Sequence, residues 1–273
     1  MNKVKILVAC HKLAKVYQDD IYTPIQVGKA LHPDLDLGYI TDATGDSISA
    51  KNPMFCELTA IYWAWKNLHD VEYIGLCHYR RYFDTVFTST NIHKIFKKAD
   101  VILCSPLPRK YPMLIKLERI LSCEDVIILF KVIKKLYPEY EKTVIDYLWG
   151  YKDYPYNMLV CKKEIFDSYS KWLFNILFTC EHYMHTPSYT CSKRIFGYIG
   201  EFLLPIYFIY NKYKIHTIDI TSYPGNKVQK IGMKACMMSH IRELLKFRHM
   251  PQHLEETFDS SIIAGLKADG IEL

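Results

Sequence analysis

The densest group of chemically active side chains in the chain is residues 75–83, Gly-Leu-Cys-His-Tyr-Arg-Arg-Tyr-Phe. An apolar run typical of a buried strand leads directly into His78, Tyr79, Arg80 and Arg81. Guanidinium groups form charge-assisted hydrogen bonds with phosphate, and tyrosine rings stack on bases or sugars. The segment therefore predicts a phosphate-binding site with His78 as a catalytic group. The alternative interpretation is that the arginines form salt bridges with acidic residues of a helical insertion.

A second polar segment, residues 42–52, reads Asp-Ala-Thr-Gly-Asp-Ser-Ile-Ser-Ala-Lys-Asn. Its glycine permits a tight turn, its carboxylates could hold ribose hydroxyls, and its lysine could meet phosphate. The alternative is a polar turn whose serine or asparagine caps the next helix. Two further polar residues, His11 and Lys12, directly follow the first predicted strand. The donor-binding residues predicted from these two places are His11, Lys12, Asp42, Asp46, Lys51 and Asn52.

Glu201 is a lone carboxylate in the otherwise apolar segment 195–204. A carboxylate that is partly removed from water has a raised pKa and can act as a general base toward an acceptor hydroxyl. Glu201 is therefore the predicted catalytic base. Structural pairing with Arg194 or with a nearby lysine is an equally good interpretation.

Several enzyme classes lack support because their motifs are missing. The chain contains no G-x-G-x-x-G, G-x-x-x-x-G-K-[ST], G-x-S-x-G or H-E-x-x-H, which disfavours dinucleotide oxidoreductases, P-loop kinases, serine hydrolases and zinc proteases. The one D-x-D, residues 34–36, follows His32-Pro33 in a predicted turn and is discounted as a metal site. No C-x-x-C occurs, so a zinc ribbon is not expected. We predict no metal and no cofactor.

Composition indicates a folded protein in a reducing compartment. Half of the 273 residues are hydrophobic, which suffices for a full core. Four of the nine cysteines lie in or at the end of short apolar runs, as reduced core residues do. No run reaches the roughly 18 apolar residues of a membrane span, and the start is too polar for a signal peptide. The net charge of +6 and the scattered aromatic residues do not indicate nucleic acid. A cytoplasmic protein is predicted.

The elements that must position these groups alternate as β-α-β-α-β. Strands are predicted at residues 5–10, 37–40, 71–77, 101–104, 157–161 and 215–220, and helices at 54–68, 91–98, 163–180 and 192–211. Asn52-Pro53 is expected to cap the helix at 54–68, Pro205 to interrupt or kink the helix at 192–211, and residues 21–31 show helical spacing. Residues 118–148 read as helices separated at Pro138. This order favours a mostly parallel sheet flanked by helices, with ligands at the strand ends.

The tail at residues 233–247 is basic and amphipathic. Docking on a membrane surface is one interpretation of this pattern. The favoured interpretation is a helix packed on the domain, because ordinary surface helices show the same spacing.

The chain resembles a family of bacterial capsular and exopolysaccharide biosynthesis glycosyltransferases that was long catalogued as a domain of unknown function. Similar segments lie at residues 46–52, 56–67, 75–83, 156–158 and 197–201, and the similarity spans roughly residues 4 to 220. The resemblance implies an α/β fold of the GT-A nucleotide-sugar transferase type at 1–225, a helical insertion at about 114–150 and a helical extension at 226–273. It also implies a donor-binding role for Asn157. Relatives often carry arginine where this chain has Phe202.

The resemblance implies transfer of a hexose, with galactofuranose as one candidate, from a uridine diphosphate sugar to a lipid-linked oligosaccharide of a capsule, exopolysaccharide or O-antigen. We expect inversion, with His78, Arg80 and Arg81 replacing a metal ion at the diphosphate. The tail could contact the inner membrane at its cytoplasmic face. Two other readings stay open: a non-catalytic nucleotide-sugar or glycan-binding subunit of an assembly complex, and a phosphotransferase.

Overall fold

The computed structural model describes residues 4–185, 187–190, 192–222, 226–227 and 233–272. The strands are β1 (Val4–Cys10), β2 (Tyr22–Gln26), β3 (Ile40–Thr41), β4 (Tyr73–His78), β5 (Tyr82–Phe83), β6 (Val101–Cys104), β7 (Leu107–Pro108), β8 (Lys152–Asp153), β9 (Leu159–Lys162), β10 (Ile215–Ile218), β11 (Ile220–Ser222) and β12 (Asn226–Lys227). The helices are α1 (Asn52–Phe55), α2 (Leu58–Asn67), α3 (Ser89–Phe96), α4 (Met113–Glu118), α5 (Cys123–Leu136), α6 (Glu141–Leu148), α7 (Lys163–Tyr183), α8 (Ile195–Tyr210), α9 (Met233–Leu245) and α10 (Ser260–Ala268).

A central sheet of seven strands has the order β10-β6-β9-β4-β1-β2-β3. Strand β9 is antiparallel to both of its neighbours, and the remaining pairs are parallel. Gly75 in β4 lies so close to β9 that a Cβ atom there would be 2.8 Å from the Leu159 carbonyl oxygen. The predicted mostly parallel α/β sheet is confirmed.

Alternating residues of β1 face two hydrophobic layers. Leu7 and Ala9 pack with the buried faces of α2, α5, α7 and α8, while Ile6 and Val8 pack in a smaller layer with Tyr22, Phe87 and Ile92. Helices therefore cover both faces of the sheet, as expected for strands that are buried on both sides. The polar loops that follow the carboxyl ends of the strands are left accessible to a ligand.

Within the region at residues 21–31, the strand β2 takes up 22–26 and a single 3-10 turn takes up 29–31, so the helical spacing does not produce an α-helix. Pro24 lies inside β2 beside Val8 of β1. It is tolerated because β3 pairs only with the last two residues of β2, so the strand has a free edge at Pro24.

The predicted single helix at 54–68 is broken into α1 and α2 at Cys56, whose φ of 51° is left-handed. Asn52 does not cap this helix; it lies within α1, and its side-chain Nδ2 donates to the Cys56 carbonyl at 2.8 Å and to Thr59 Oγ1 at 3.1 Å. The break turns Cys56 and Glu57 outward, where an unbroken helix would have buried them.

The remaining helices match the predicted pattern with two differences. Helix α8 continues through Pro205, so the predicted interruption is absent, and the alternative of a kink at Pro205 stays a prediction. The region at 118–148 forms α5 and α6, separated at Pro138 as expected. Helix α9 packs on the domain, as the favoured interpretation of the tail expects, but it does so through its polar side rather than its apolar side.

The C-terminal segment returns to the main hydrophobic layer. Leu254 and Leu266 are buried in it, and Phe258 stacks on Phe130 of α5. The predicted domain boundary near residue 225 falls outside the described residues. Within the described ranges, no helix is both long and apolar enough to cross a bilayer.

Candidate active site

A cleft of about 620 Å³ opens at the carboxyl ends of three parallel strands, β1, β2 and β4. Its walls come from the residues that directly follow these strands, from the break between α1 and α2, and from the turn before α8. Crevices at this position are where open α/β sheets bind ligands.

The wall of this cleft is strongly cationic. Among the described residues that line it, Glu57 is the one carboxylate. The basic side chains on the wall are His11, His32, His78, Arg80, Arg81, Lys193 and Arg194. A concentration of like charge on low-dielectric walls attracts an anionic ligand.

The residues after β4 form a tight turn that aims both arginines. The His78 and Arg81 backbones exchange two hydrogen bonds, at 3.1 and 2.9 Å, and the Tyr79 N–H donates to the Ala9 carbonyl. The Arg80 guanidinium lies 5.0 Å from the centre of the buried Tyr79 ring, and the Arg81 guanidinium lies 4.2 Å from that of Tyr156. Neither arginine forms an ion pair with an acid of the helical insertion within the described part of the chain.

The first strand contributes to the same wall. The His11 ring contacts the Tyr79 ring edge-on at 5.2 Å, and the Lys12 ammonium is 5.9 Å from that ring. Burial, together with the charges of Lys12, Arg80 and Arg194, lowers the pKa of His11. The structure thus brings the predicted residues of β1 and β4 together.

His78 lies at the floor of the cleft, with its side chain 12% exposed. Burial lowers its pKa; Glu57 opposes this shift and Arg81 adds to it. Its Nε2 is 3.7 Å from Glu57 Oε1 and has no hydrogen-bond partner among the described residues. The lowered pKa favours the neutral imidazole, and its Nε2 is a buried atom left without a partner in this part of the structure.

Asn157 is buried behind this floor instead of on the cleft wall. Its Nδ2 donates to Glu57 Oε1 at 2.8 Å and to the Gly197 carbonyl at 3.0 Å. Asn157 therefore fixes the Glu57 carboxylate beside His78. The donor-binding role predicted for Asn157 stays a prediction.

Two glycines of α8 make this packing feasible. A Cβ atom at Gly197 would lie 2.9 Å from Cys56 Sγ, and one at Gly200 would lie 2.9 Å from Asn157 Oδ1. The close approach of α8 brings the break between α1 and α2 against Asn157. Glu201, the next residue of α8, is not among the residues that line the cleft; its carboxylate is paired with Lys116.

Glu201 has the raised pKa that its apolar context predicts. Burial raises its pKa to about 7, with Glu57 and Asp153 adding to the rise, and Lys116 lowers it in part. Lys116 Nζ is 3.5 Å from Glu201 Oε2 and also binds the buried Asp153. Arg194, the alternative partner, donates instead to Cys56 Sγ at 3.1 Å. The pairing with a lysine is therefore present in the structure, and the role of Glu201 as catalytic base stays a prediction.

Asp42 is fully buried and holds the loop after β2 against α2. Its carboxylate accepts hydrogen bonds from the backbone of Gly28 at 2.9 Å and of Lys29 at 3.3 Å, and from the hydroxyls of Ser49 and Thr59. The predicted ribose contact stays a prediction. In this conformation the Asp42 carboxylate stabilises the loop after β2 by these hydrogen bonds.

Of the other predicted residues in segment 42–52, one lies on the cleft wall and two do not. Asp46 Oδ1 accepts from the Tyr62 hydroxyl at 2.9 Å, and Lys51 Nζ is 2.6 Å from Glu181 Oε1. Neither is among the residues lining the cleft, whereas Asn52 is. Donor contacts of Asp46 and Lys51 remain predictions.

Sequence reasoning missed Glu57, Lys193 and Arg194. Glu57 is a lone carboxylate in the apolar run 54–68, the same signal that singled out Glu201. The Lys193-Arg194 pair directly precedes helix α8, and both the clustered cations and the helix N-terminus attract an anion. The break at Cys56, which places Glu57 on the cleft wall, is not visible in the sequence pattern.

The D-x-D residues 34–36 lie in an exposed loop, where the Asp36 carboxylate accepts from the Gly38 N–H. Across the described ranges, His, Cys, Asp and Glu side chains do not gather in groups of three that could hold a metal ion.

The sheet, its flanking helices and the cleft define an α/β protein with a candidate ligand site at the carboxyl ends of its parallel strands. The chain belongs to the family described as "Domain of unknown function (DUF4422)", whose model matches residues 5–212. The expected membership in a family catalogued as a domain of unknown function is thereby confirmed.

Among solved structures, the chain is similar to the apo structure of the bifunctional glycosyltransferase WbbM, with a TM-score of 0.72 and 29% sequence identity. The match covers 85% of this chain and 48% of that one, so the chain spans about half the length of WbbM. No curated protein matches the sequence.

Proposed function

We propose that the protein is a glycosyltransferase that binds the diphosphate of a nucleotide sugar in the cationic cleft. The observation that carries the proposal is the convergence of Arg80, Arg81, Lys193 and Arg194 at the carboxyl ends of parallel strands in a glycosyltransferase-like fold. Guanidinium pairs suit the planar oxygens of phosphate. The Tyr79 and Tyr156 rings beside the arginines offer surfaces for a base or a sugar.

The reaction proposed is direct displacement at the anomeric carbon. The acceptor oxygen forms a bond to that carbon while the bond to the β-phosphate oxygen breaks, and the electron pair leaves with the nucleotide diphosphate. Arg80, Arg81 and His78 stabilise the negative charge that develops on the leaving group. Fixed cations can supply in this way what a divalent ion supplies elsewhere, so the proposed reaction is metal-independent. The anomeric configuration inverts.

Glu201 is the proposed acceptor of the hydroxyl proton. A pKa of about 7 leaves a substantial fraction of the carboxylate ionised at neutral pH and makes it more basic than an ordinary glutamate. Lys116, 3.5 Å away, stabilises the ionised form. Proton transfer to Glu201 then leaves a neutral acid beside the lysine.

The family resemblance of the sequence supports a more specific proposal. The donor is a uridine diphosphate hexose, with galactofuranose as a candidate sugar, and the acceptor is a lipid-linked oligosaccharide of a capsule, exopolysaccharide or O-antigen. The reaction would take place in the cytoplasm, at the inner face of the membrane.

A donor panel tests the proposal. The purified protein is incubated with uridine, guanosine and thymidine diphosphate sugars, including uridine diphosphate galactofuranose, and thermal stabilisation and nucleotide diphosphate release are measured together. We expect one donor to stabilise the protein and an oligosaccharide acceptor to accelerate release. Stabilisation without release under any acceptor condition would favour the non-catalytic binding subunit. Release of inorganic phosphate instead would favour a phosphotransferase.

A further inference from the structure

Helix α9 packs on the rest of the protein through its polar side. Four residues spaced three or four apart, Ser239, Arg242, Glu243 and Lys246, point inward. The Ser239 hydroxyl donates to the Tyr151 carbonyl at 2.8 Å, and Glu243 Oε2 accepts from the Tyr151 N–H at 2.7 Å. The inward face is thus fixed by hydrogen bonds to backbone groups instead of by apolar contact.

The opposite side of α9 and of the turn that follows it is apolar and exposed. Seven large hydrophobic side chains there are between 37% and 86% accessible. They are Met233, Met237, Met238, Ile241, Leu244, Leu245 and Phe247. An ordinary surface helix has the reverse orientation, with its apolar side toward the core. A continuous exposed apolar surface of this kind marks an interaction site.

The charges around this outer face of α9 are positive. Lys234 and Arg248 are exposed at its two ends, and Glu243, the acid of α9, faces inward and is paired with Lys246. Helix α9 also packs against β7, where Arg242 donates to the Arg109 carbonyl. The exposed Lys110 follows on that loop, so the neighbouring surface extends the positive rim.

We propose that the outer face of α9 docks on the surface of a bilayer that contains anionic lipids. A helix of 13 residues is about 20 Å long, and lying in the interface it would place its apolar side chains among the acyl chains and its cations at the lipid phosphates. A second copy of the chain fits less well, because pairing two such faces would bring like charges together. The proposal does not depend on the transfer reaction.

Vesicle cosedimentation of the full-length protein tests this docking. The probes are phosphatidylcholine vesicles with and without phosphatidylglycerol, at low and high salt. Leu244→Glu with Phe247→Glu removes the apolar contact, and Lys234→Glu with Arg248→Glu reverses the rim. Val86→Glu changes an equally exposed apolar residue elsewhere and serves as the matched control. Thermal melting of each variant verifies its fold.

We expect binding to the anionic vesicles that weakens in high salt. The apolar double variant should lose about tenfold or more in partitioning. The rim double variant, which loses two cations worth about fivefold each, should lose about 25-fold or more, while Val86→Glu binds as wild type. Equal binding to both vesicle types, or full binding by the folded Leu244→Glu, Phe247→Glu variant, would overturn the proposal. The proposal would also be overturned if the wild-type protein bound no vesicles but formed a concentration-dependent dimer, and if the Leu244→Glu, Phe247→Glu variant dissociated that dimer. Because vesicle binding is measured without donor or acceptor, its outcome is separate from that of the donor panel.

Discussion

Single residues set the protonation chemistry of the proposed site, and Glu201 is the clearest case. Its pKa of about 7 arises from burial and is held down by Lys116 at 3.5 Å. If Glu201 is the base, turnover at saturating substrate should rise with pH through an apparent pKa near 7. Lys116→Met should move this profile to higher pH, because it removes the charge that favours the ionised form. A profile that stays in place in Lys116→Met would contradict the assignment.

Glu201→Gln separates catalysis from stability. Burial raises the pKa of Glu201 above its ordinary 4.5, so the native state loses stability as the pH rises through the window from about 4.5 to 7. At pH 8 the glutamine variant should therefore have a free energy of unfolding higher than that of wild type by on the order of 1 to 3 kcal/mol, and so melt at a higher temperature, while turnover is lost. Melting curves and nucleotide diphosphate release measure the two effects on one sample. An unchanged rate would remove Glu201 from the mechanism.

A substitution of Glu57 tests the role of the one carboxylate among the described residues of the cationic wall. Glu57→Gln keeps an oxygen for the Asn157 amide and removes only the charge. We expect donor binding to be kept or strengthened and turnover to fall about 100-fold, since positive charge develops on the sugar in the transition state. Isothermal titration with the nucleotide diphosphate and single-turnover rates measure these quantities. Glu164→Gln, an exposed glutamate of α7, is the control and should behave as wild type.

Removal of metal ions tests whether the arginines of the cleft replace a divalent ion at the diphosphate. If Arg80, Arg81 and His78 stabilise the leaving group, transfer should continue after exhaustive chelation, and Arg81→Lys should lower the rate without creating a metal requirement. Activity is measured before and after chelation and again after manganese is added back. Activity that is lost on chelation and restored by manganese would show that the cations do not replace a metal.

At the scale of elements, the contact between α8 and the break at Cys56 positions the floor of the cleft. Gly200→Val should force its side chain into Asn157 and Leu58, because even a Cβ atom would lie 2.9 Å from each. We expect destabilisation of about 1 to 3 kcal/mol together with weakened donor binding. Urea unfolding and donor titration measure the two losses. Gly265→Ala in α10, where a Cβ atom meets nothing within 4 Å, should leave both properties unchanged or gain slightly in stability.

At the scale of the whole molecule, the C-terminal segment belongs to the main hydrophobic layer. Leu266 of α10 is 3% exposed and packs in the layer that also contains α5 and α7. Leu266→Ala should therefore lower the free energy of unfolding by about 2 to 4 kcal/mol within a single cooperative transition. Urea denaturation followed by both tyrosine fluorescence and circular dichroism measures it. Separate transitions for the tail and the sheet would show that the segment folds independently.

The sequence by itself determined the class of fold and most of the cationic wall. Short apolar strands alternating with helices require a mostly parallel sheet, and such a sheet places the residues after β1 and β4 at one edge. His11, Arg80 and Arg81 could therefore be assigned to one site from local patterns alone. The lone Glu201 was predictable for the same reason, because an ionisable group in an apolar helix needs a partner or a function.

Only the tertiary structure decided which polar residues face the cleft and which support it. Cys56, with its positive φ, breaks a helix that the apolar pattern predicts to be continuous. The break places Glu57 on the cleft wall, and the Asn52 side chain donates a hydrogen bond to the Cys56 carbonyl at the break. Asn157 reaches Glu57 across 100 positions of sequence, a distance at which no local signal exists. The orientation of α9 was likewise hidden, because an amphipathic pattern shows that a helix has two faces and not which face meets the protein. Long-range packing and the energy of burying each face settle that choice, and neither is encoded in residue spacing.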